Sequence, residues 1–144
     1  MKDSDINYLV DAGPLVAHLD GFDQWHKWGT ATIRALGDTL HTSEAVLAEV
    51  CYLLRRHRPA VDELLRLATD GIIQAHPVFI EQAPRLRELL NKYDRMDLAD
   101  ATLVALSEQH PRAQLITIDE KDFTIYRRRD GHPVPCIMPK QQPA

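Results

Sequence analysis

Apolar and polar positions along the chain fall into two recurring patterns. Short apolar runs, each predicting a strand, cover 8–10, 39–41, 72–78 and 115–118. Between them, apolar residues recur at helical spacing and predict helices over 22–36, 44–54, 61–68, 83–90 and 97–106. A last run at 134–137 contains Pro135, which restricts it to a sheet edge. This alternation indicates an α/β fold with a mainly parallel sheet covered on both faces.

Length and composition favour one ordinary globular domain. The 144 residues fit a single globular domain over 1–138, followed by a short disordered tail over 139–144. No apolar run reaches the roughly 18 residues of a membrane span, and the first residues do not resemble a secretion signal, so we expect a cytoplasmic protein without membrane contact. A net charge of −4 argues against coating nucleic acid by bulk electrostatics.

Two of the predicted strands end on an aspartate. Val10 leads into Asp11, and Ile118 leads into Asp119. Aspartate is a common turn and cap residue, so one such position means little. Ligands of open parallel sheets collect at the carboxyl ends of the strands, however. If the two strands are neighbours, both carboxylates point into the same crevice.

Two further acids lie on predicted helices. Asp97 is expected to cap the helix over 97–106, whose apolar residues wrap most of its circumference. Asp100 lies among those apolar residues, where an uncompensated charge is costly and a metal ion would compensate it. Glu49 lies at the edge of the apolar stripe of its helix.

Four carboxylates on separate elements, Asp11, Glu49, Asp100 and Asp119, form a plausible set for a hard cation. Mg²⁺ and Mn²⁺ prefer oxygen ligands and activate water for attack on phosphate. We assign all four to catalysis and Asp11, Asp100 and Asp119 to the metal. Two basic clusters, 55–58 and 127–129, are read either as solvated surface or as phosphate contacts; Arg127, Arg128 and Arg129 follow Asp119 closely enough to line the rim of such a cleft.

The ordered acids resemble those of the PIN-domain nucleases, and within them the VapC-like toxins of toxin–antitoxin pairs. Tyr-Leu-Val-Asp-Ala-Gly-Pro-Leu-Val-Ala (8–17) resembles the opening strand with the first acid, and Thr-Ser-Glu-Ala-Val-Leu-Ala-Glu-Val (42–50) the segment with the helix glutamate, Glu49. Asp-Leu-Ala-Asp-Ala-Thr-Leu-Val-Ala-Leu (97–106) resembles the third motif, with Asp100, and Leu-Ile-Thr-Ile-Asp-Glu-Lys-Asp-Phe (115–123) the fourth, with Asp119.

The resemblance implies a three-layer α/β/α sandwich, Mg²⁺ or Mn²⁺, cleavage of RNA, a small antitoxin and a homodimer. The sequence departs from the family pattern after its first acid, where Ala12 and Gly13 replace polar residues. We therefore expect Thr42 or Ser43 to supply any hydroxyl that supports the site. Asp97 and Asp122 are extra acids beside Asp100 and Asp119, and the sequence allows either one to replace or assist its neighbour.

Three other interpretations remain open on the sequence. The same fold and metal chemistry would serve housekeeping RNA processing, without an antitoxin. Alternatively, the acids are only caps and turn residues in a non-catalytic α/β binding module. A phosphatase-like or response-regulator interpretation needs a lysine at a later strand end, whereas the late strand here ends in Thr-Ile-Asp.

Overall fold

The computed structural model describes residues 6–140. Its five strands are β1 (Tyr8–Val10), β2 (Leu40–Ser43), β3 (Ile73–His76), β4 (Gln114–Ile116) and β5 (Cys136–Ile137). Its helices are α1 (Ala12–Leu19), α2 (His26–Leu36), α3 (Glu44–Leu53), α4 (Arg58–Thr69), α5 (Ala83–Lys92), α6 (Leu98–Gln109) and α7 (Glu120–Phe123). Among these described residues, no helix combines the length and the apolar character needed to cross a bilayer.

The strands form one parallel sheet in the order β3-β2-β1-β4-β5. The predicted α/β sandwich with a mainly parallel sheet is thereby confirmed, and within 6–140 every strand pairing is parallel. The chain winds outward from β1 through β2 to β3 and then crosses to β4 on the other side of β1. This reversal makes the carboxyl ends of β1 and β4 the topological switch point, where α/β sheets bind ligands. The two strands predicted to end on aspartates are therefore neighbours.

Helix starts and ends follow local chemistry. Ser43 caps α3 by accepting a hydrogen bond from Val46 N, and Asp97 caps α6 by accepting one from Asp100 N, as predicted. Gly37 ends α2 at a φ of 58°, in the left-handed region that favours glycine. Pro59 lies in the first turn of α4, where its missing N–H costs nothing.

Helix α6 is the central helix of the core. Every residue from Ala99 to Ser107 is buried, which confirms the prediction of a helix surrounded on most sides. Because α6 packs against α3, α5, β2 and β4, its amino-terminal turn is held rigidly beside the carboxyl ends of the strands. Asp100 belongs to that turn.

Several predicted boundaries were wrong. Helix α2 begins at His26 rather than near Phe22, because the side chains of Asp20 and Asp23 accept hydrogen bonds from the backbone two residues later and hold turns there. Leu90 belongs to the apolar spacing that predicts the helix over 83–90, but it is 37% exposed and does not face the core. The edge strand is shorter than predicted, with only Cys136–Ile137 paired to β4. Residues 141–144 of the predicted disordered tail lie outside the described residues.

Candidate metal centre and active site

Asp11 lies between β1 and α1 and is only 8% exposed. Its Oδ1 accepts a hydrogen bond from Ala12 N at 2.8 Å, and its Oδ2 accepts one from the Thr117 hydroxyl at 2.7 Å. Burial raises the pKa of Asp11, the two hydrogen bonds oppose that rise, and the nearby carboxylates Asp119 and Asp97 add to it. The two hydrogen bonds therefore fix the orientation of the carboxylate, and a nearby cation would stabilise its ionised form.

Asp100 faces the same region from the first turn of α6 and is 9% exposed. Its Oδ2 accepts a hydrogen bond from the Tyr126 hydroxyl at 2.8 Å. Burial, together with the charges of Asp97 and Asp11, raises the pKa of Asp100 to about 8, although the bond from Tyr126 lowers it. In the metal-free protein Asp100 is thus largely protonated at neutral pH.

Asp119 and Asp122 complete a compact acidic group with Asp100. Asp119 caps the short helix α7 by accepting a hydrogen bond from Asp122 N at 3.1 Å, and its own N–H donates to the Thr117 hydroxyl at 3.0 Å. One carboxylate oxygen each of Asp100, Asp119 and Asp122 lie within 4.8 Å of one another. Burial raises the pKa of Asp119, and the charge of Asp122 raises it further. We call these three residues the acidic group.

A cleft of about 310 Å³ opens over the acidic group. Glu49 borders it from α3 and is half-buried; burial and the charges of Asp97 and Asp11 raise its pKa. On the opposite side, Gly13 lets the first turn of α1 approach Ile118, whose Cδ1 would lie 3.3 Å from a Cβ at that position. The cleft is lined by six acids: Asp11, Glu49, Asp97, Asp100, Asp119 and Asp122.

The acidic group fits a divalent cation. Its donors are carboxylate oxygens, the ligand type that Mg²⁺ and Mn²⁺ select. The raised pKa values of Asp11, Asp100 and Asp119 have a common cause, because burial and mutual repulsion both disfavour their charged forms until a cation binds. The structure thus brings together all four acids predicted to form the site, and it places Asp122 directly beside two of them.

The three consecutive arginines lie in different surroundings. Arg127 donates from Nη1 to the backbone carbonyls of Thr124 and Tyr126, at 2.8 and 2.9 Å. Arg128 is largely buried, with its Nη1 bonded to the Ser107 hydroxyl and the Pro111 carbonyl. Arg129 is exposed and pairs with Glu88 at 3.1 Å. Their assignment to RNA binding stays a prediction.

The supporting residues were not those expected. The Thr42 hydroxyl bonds to Val10 O and the Ser43 hydroxyl to that of Thr102, so neither reaches an acid, and the expectation that they support the site was wrong. Thr117 supplies the hydroxyl instead. A signal was available, because Thr117 stands two residues before Asp119 at the end of β4, whereas nothing in the sequence connects Tyr126 with Asp100.

Comparison with known proteins yields a family and two relatives. The family model described as PIN domain matches residues 8–128. Ribonuclease VapC26 of Mycobacterium tuberculosis is 29% identical over 131 residues, which cover 85% of this chain and 94% of that protein. The crystal structure of Mycobacterium tuberculosis VapC20, described as a Sarcin-Ricin loop cleaving toxin, superposes with a TM-score of 0.69 at 18% identity, covering 76% of this chain and 87% of that one.

Proposed function

Because the chain belongs to the PIN-domain family, we propose that it is a metal-dependent endoribonuclease that hydrolyses RNA phosphodiester bonds with Mg²⁺ or Mn²⁺. The observation that carries the proposal is the acidic group. Three carboxylate oxygens within 4.8 Å of one another, beside Asp11 at the switch point of the sheet, suit a divalent cation. The resemblance to Ribonuclease VapC26 supports RNA as the substrate.

We assign Asp11, Asp100 and Asp119 to the metal, with Asp122 as a further ligand. When bound by these residues, Mg²⁺ or Mn²⁺ would activate water for attack and would neutralise charge on the scissile phosphate. The Thr117 hydroxyl donates to Asp11 and the Tyr126 hydroxyl donates to Asp100, so each carboxylate keeps one orientation. Metal binding then loses less conformational entropy, because the ligands are already ordered.

Glu49 is proposed as a proton acceptor at the same cleft. It borders the cleft from α3, and within 6–140 its carboxylate makes no hydrogen bond or ion pair. Its raised pKa brings it closer to neutral pH than an ordinary glutamate, which suits proton transfer from water. Asp11, Asp100 and Asp119, in contrast, have carboxylate oxygens already engaged by hydrogen bonds.

The biological role proposed is that of a toxin in a toxin–antitoxin pair. The toxin description of the VapC20 structure and the match to VapC26 support it. A small antitoxin protein is then the expected partner. We propose that the protein is a homodimer in the cytoplasm. Each subunit would consist of one nuclease domain over 1–138 and a short tail over 139–144.

Cleavage mapping on total RNA tests the activity. The wild type with Mg²⁺ or Mn²⁺ is expected to cut at defined positions, and Asp11→Asn is expected to leave them intact, with thermal unfolding as the check that the variant folds. Expression of the wild type in a bacterial host is expected to arrest growth, and Asp11→Asn to relieve the arrest. Equal cleavage and equal toxicity of the two proteins would refute the assignment of the site.

Two alternatives make different predictions. A housekeeping RNA-processing nuclease would cut RNA without an antitoxin, so a short antitoxin-like reading frame immediately upstream favours the toxin role. A non-catalytic binding module would bind no metal, and calorimetric titration of the wild type with Mn²⁺ separates it from a nuclease.

A further inference from the structure

Arg95 is the one basic residue among those that line the cleft in the described part of the chain. It lies in the loop between α5 and α6, two residues before Asp97, the residue that caps α6. Its side chain is exposed. A fixed positive charge therefore stands at the mouth of a cleft that six carboxylates line.

Arg95 has no hydrogen-bond or ion-pair partner within 6–140, unlike Arg127, Arg128 and Arg129. The guanidinium groups of Arg127 and Arg128 donate hydrogen bonds to backbone carbonyls, and that of Arg128 also donates to the Ser107 hydroxyl. Arg129 forms an ion pair with Glu88. Arg95 makes no hydrogen bond or ion pair with another residue of 6–140, in spite of the acids around it. With respect to these residues, its guanidinium is thus free to take a ligand.

An anionic ligand needs such a cation at this cleft. RNA brings a negative charge at every phosphate to a surface where a divalent ion offsets only part of the charge of six carboxylates. A guanidinium presents parallel N–H donors that match two phosphate oxygens, and it stays charged at every physiological pH. A phosphate bound there would hold the strand beside the acidic group.

We propose that Arg95 binds a backbone phosphate of the RNA next to the bond that is cleaved, and so positions the strand over the acidic group. This inference rests on the proposed ribonuclease function and adds a substrate contact to it. Arg95 would act on the binding of RNA and not on the binding of the metal, because it is not a metal ligand.

The test compares Arg95→Ala and Arg95→Lys with Arg112→Ala. Arg112 is also exposed and makes no hydrogen bond or ion pair with another residue of 6–140, but it precedes β4 and so lies at the opposite end of the sheet from the cleft. The probe is a fluorescein-labelled RNA fragment that spans a position cut by the wild type. Its affinity is measured against salt in the Asp11→Asn background, and kcat, KM and Mn²⁺ affinity are measured without that substitution.

Arg95→Ala is expected to bind the fragment about tenfold more weakly, the loss of one charge-assisted hydrogen-bonded contact. The slope of log affinity against log salt should become shallower by about 0.7, the value for one phosphate contact on a single strand. Arg95→Lys should keep the slope and recover part of the affinity. Mn²⁺ affinity should not fall in either variant, and Arg112→Ala should behave as the wild type.

Two results overturn the inference, and a third overturns its premise. If the wild type cuts RNA and Arg95→Ala binds the fragment as tightly as Arg112→Ala, Arg95 contacts no phosphate. If Arg95→Ala loses Mn²⁺ affinity, Arg95 supports the metal site instead. A wild type that cuts no RNA refutes the proposed function itself, and the phosphate contact with it.

Discussion

Replacing Asp100 with asparagine is expected to stabilise the metal-free protein while removing its response to metal. Asp100 is 9% exposed, and its pKa is about 8 in the folded protein against the ordinary 3.8. Between these two values the unfolded chain has released the proton that the folded protein still holds. The folded state is therefore progressively penalised as pH rises from about 4 to about 8, and the penalty is complete above that window.

The structure sets the size of the effect. A difference between 3.8 and about 8 corresponds to about 6 kcal/mol as an upper limit. Relaxation and water entry reduce such penalties, so we expect a gain of about 2 to 3 kcal/mol for Asp100→Asn at pH 8. For a chain of this size that corresponds to a rise in Tm of roughly 6 to 10 °C. The asparagine carbonyl still accepts the hydrogen bond from Tyr126, so packing is preserved.

Thermal unfolding at pH 5 and pH 8, with chelator and with Mn²⁺, is the assay. The advantage of Asp100→Asn should grow from pH 5 to pH 8 in chelator, and saturating Mn²⁺ should raise the Tm of the wild type but not that of the variant. Asp62→Asn, an exposed acid of α4 away from the cleft, is the control and should change little. A variant no more stable than the wild type at pH 8, or one stabilised equally by Mn²⁺, would refute this electrostatic account of Asp100.

Four other substitutions separate support of the site from support of the fold. Thr117→Val removes the hydroxyl that bonds Asp11 and should lower cleavage or Mn²⁺ affinity about 10- to 100-fold while the chain stays folded, as calorimetry and unfolding curves will show. Tyr126→Phe removes the donor to Asp100, raises its pKa further, and should weaken Mn²⁺ binding at pH 7 more than at pH 9; equal loss at both values would contradict this. Arg128→Ala should lower the free energy of unfolding in urea by about 2 kcal/mol, because its contacts with Ser107 and Pro111 are lost. Arg129→Ala should lower RNA affinity and leave the free energy of unfolding unchanged. The opposite pattern would exclude Arg129 as the RNA contact.

The strands and the site acids were predictable because their signals are local. Apolar runs that end on Asp11 and Asp119 can be read from neighbouring residues alone, and so can the cap at Asp97. The sequence left open whether β1 and the strand before Asp119 are neighbours, and the structure shows that β1 pairs with β4. The assignment of Glu49 depended more on the family resemblance, because its position at the edge of the apolar stripe of its helix is a weak signal.

The supporting contacts were not predictable in the same way. Tyr126 meets Asp100 across 26 positions of sequence, and Thr117 meets Asp11 across 106. Such pairs depend on how α6, α7 and the strands pack, which no periodicity encodes. The predicted start of α2 was wrong for a different reason. The Asp20 and Asp23 side chains accept hydrogen bonds from backbone N–H groups that a helix would otherwise use.

The burial of the acids also links the two ligands of the cleft. Without a cation, Asp100 holds a proton at neutral pH, and the pKa values of Asp11 and Asp119 are raised as well, so binding a metal must displace protons. Until that happens, a phosphate that enters the cleft meets carboxylates, and Arg95 is the one basic residue that lines the cleft within 6–140. Metal binding reduces this repulsion, and thermodynamic linkage then requires RNA to raise metal affinity by the same factor. A cleft built mainly from acids is therefore expected to bind RNA most strongly in its metal-loaded form, because the bound cation offsets the charge that repels the substrate.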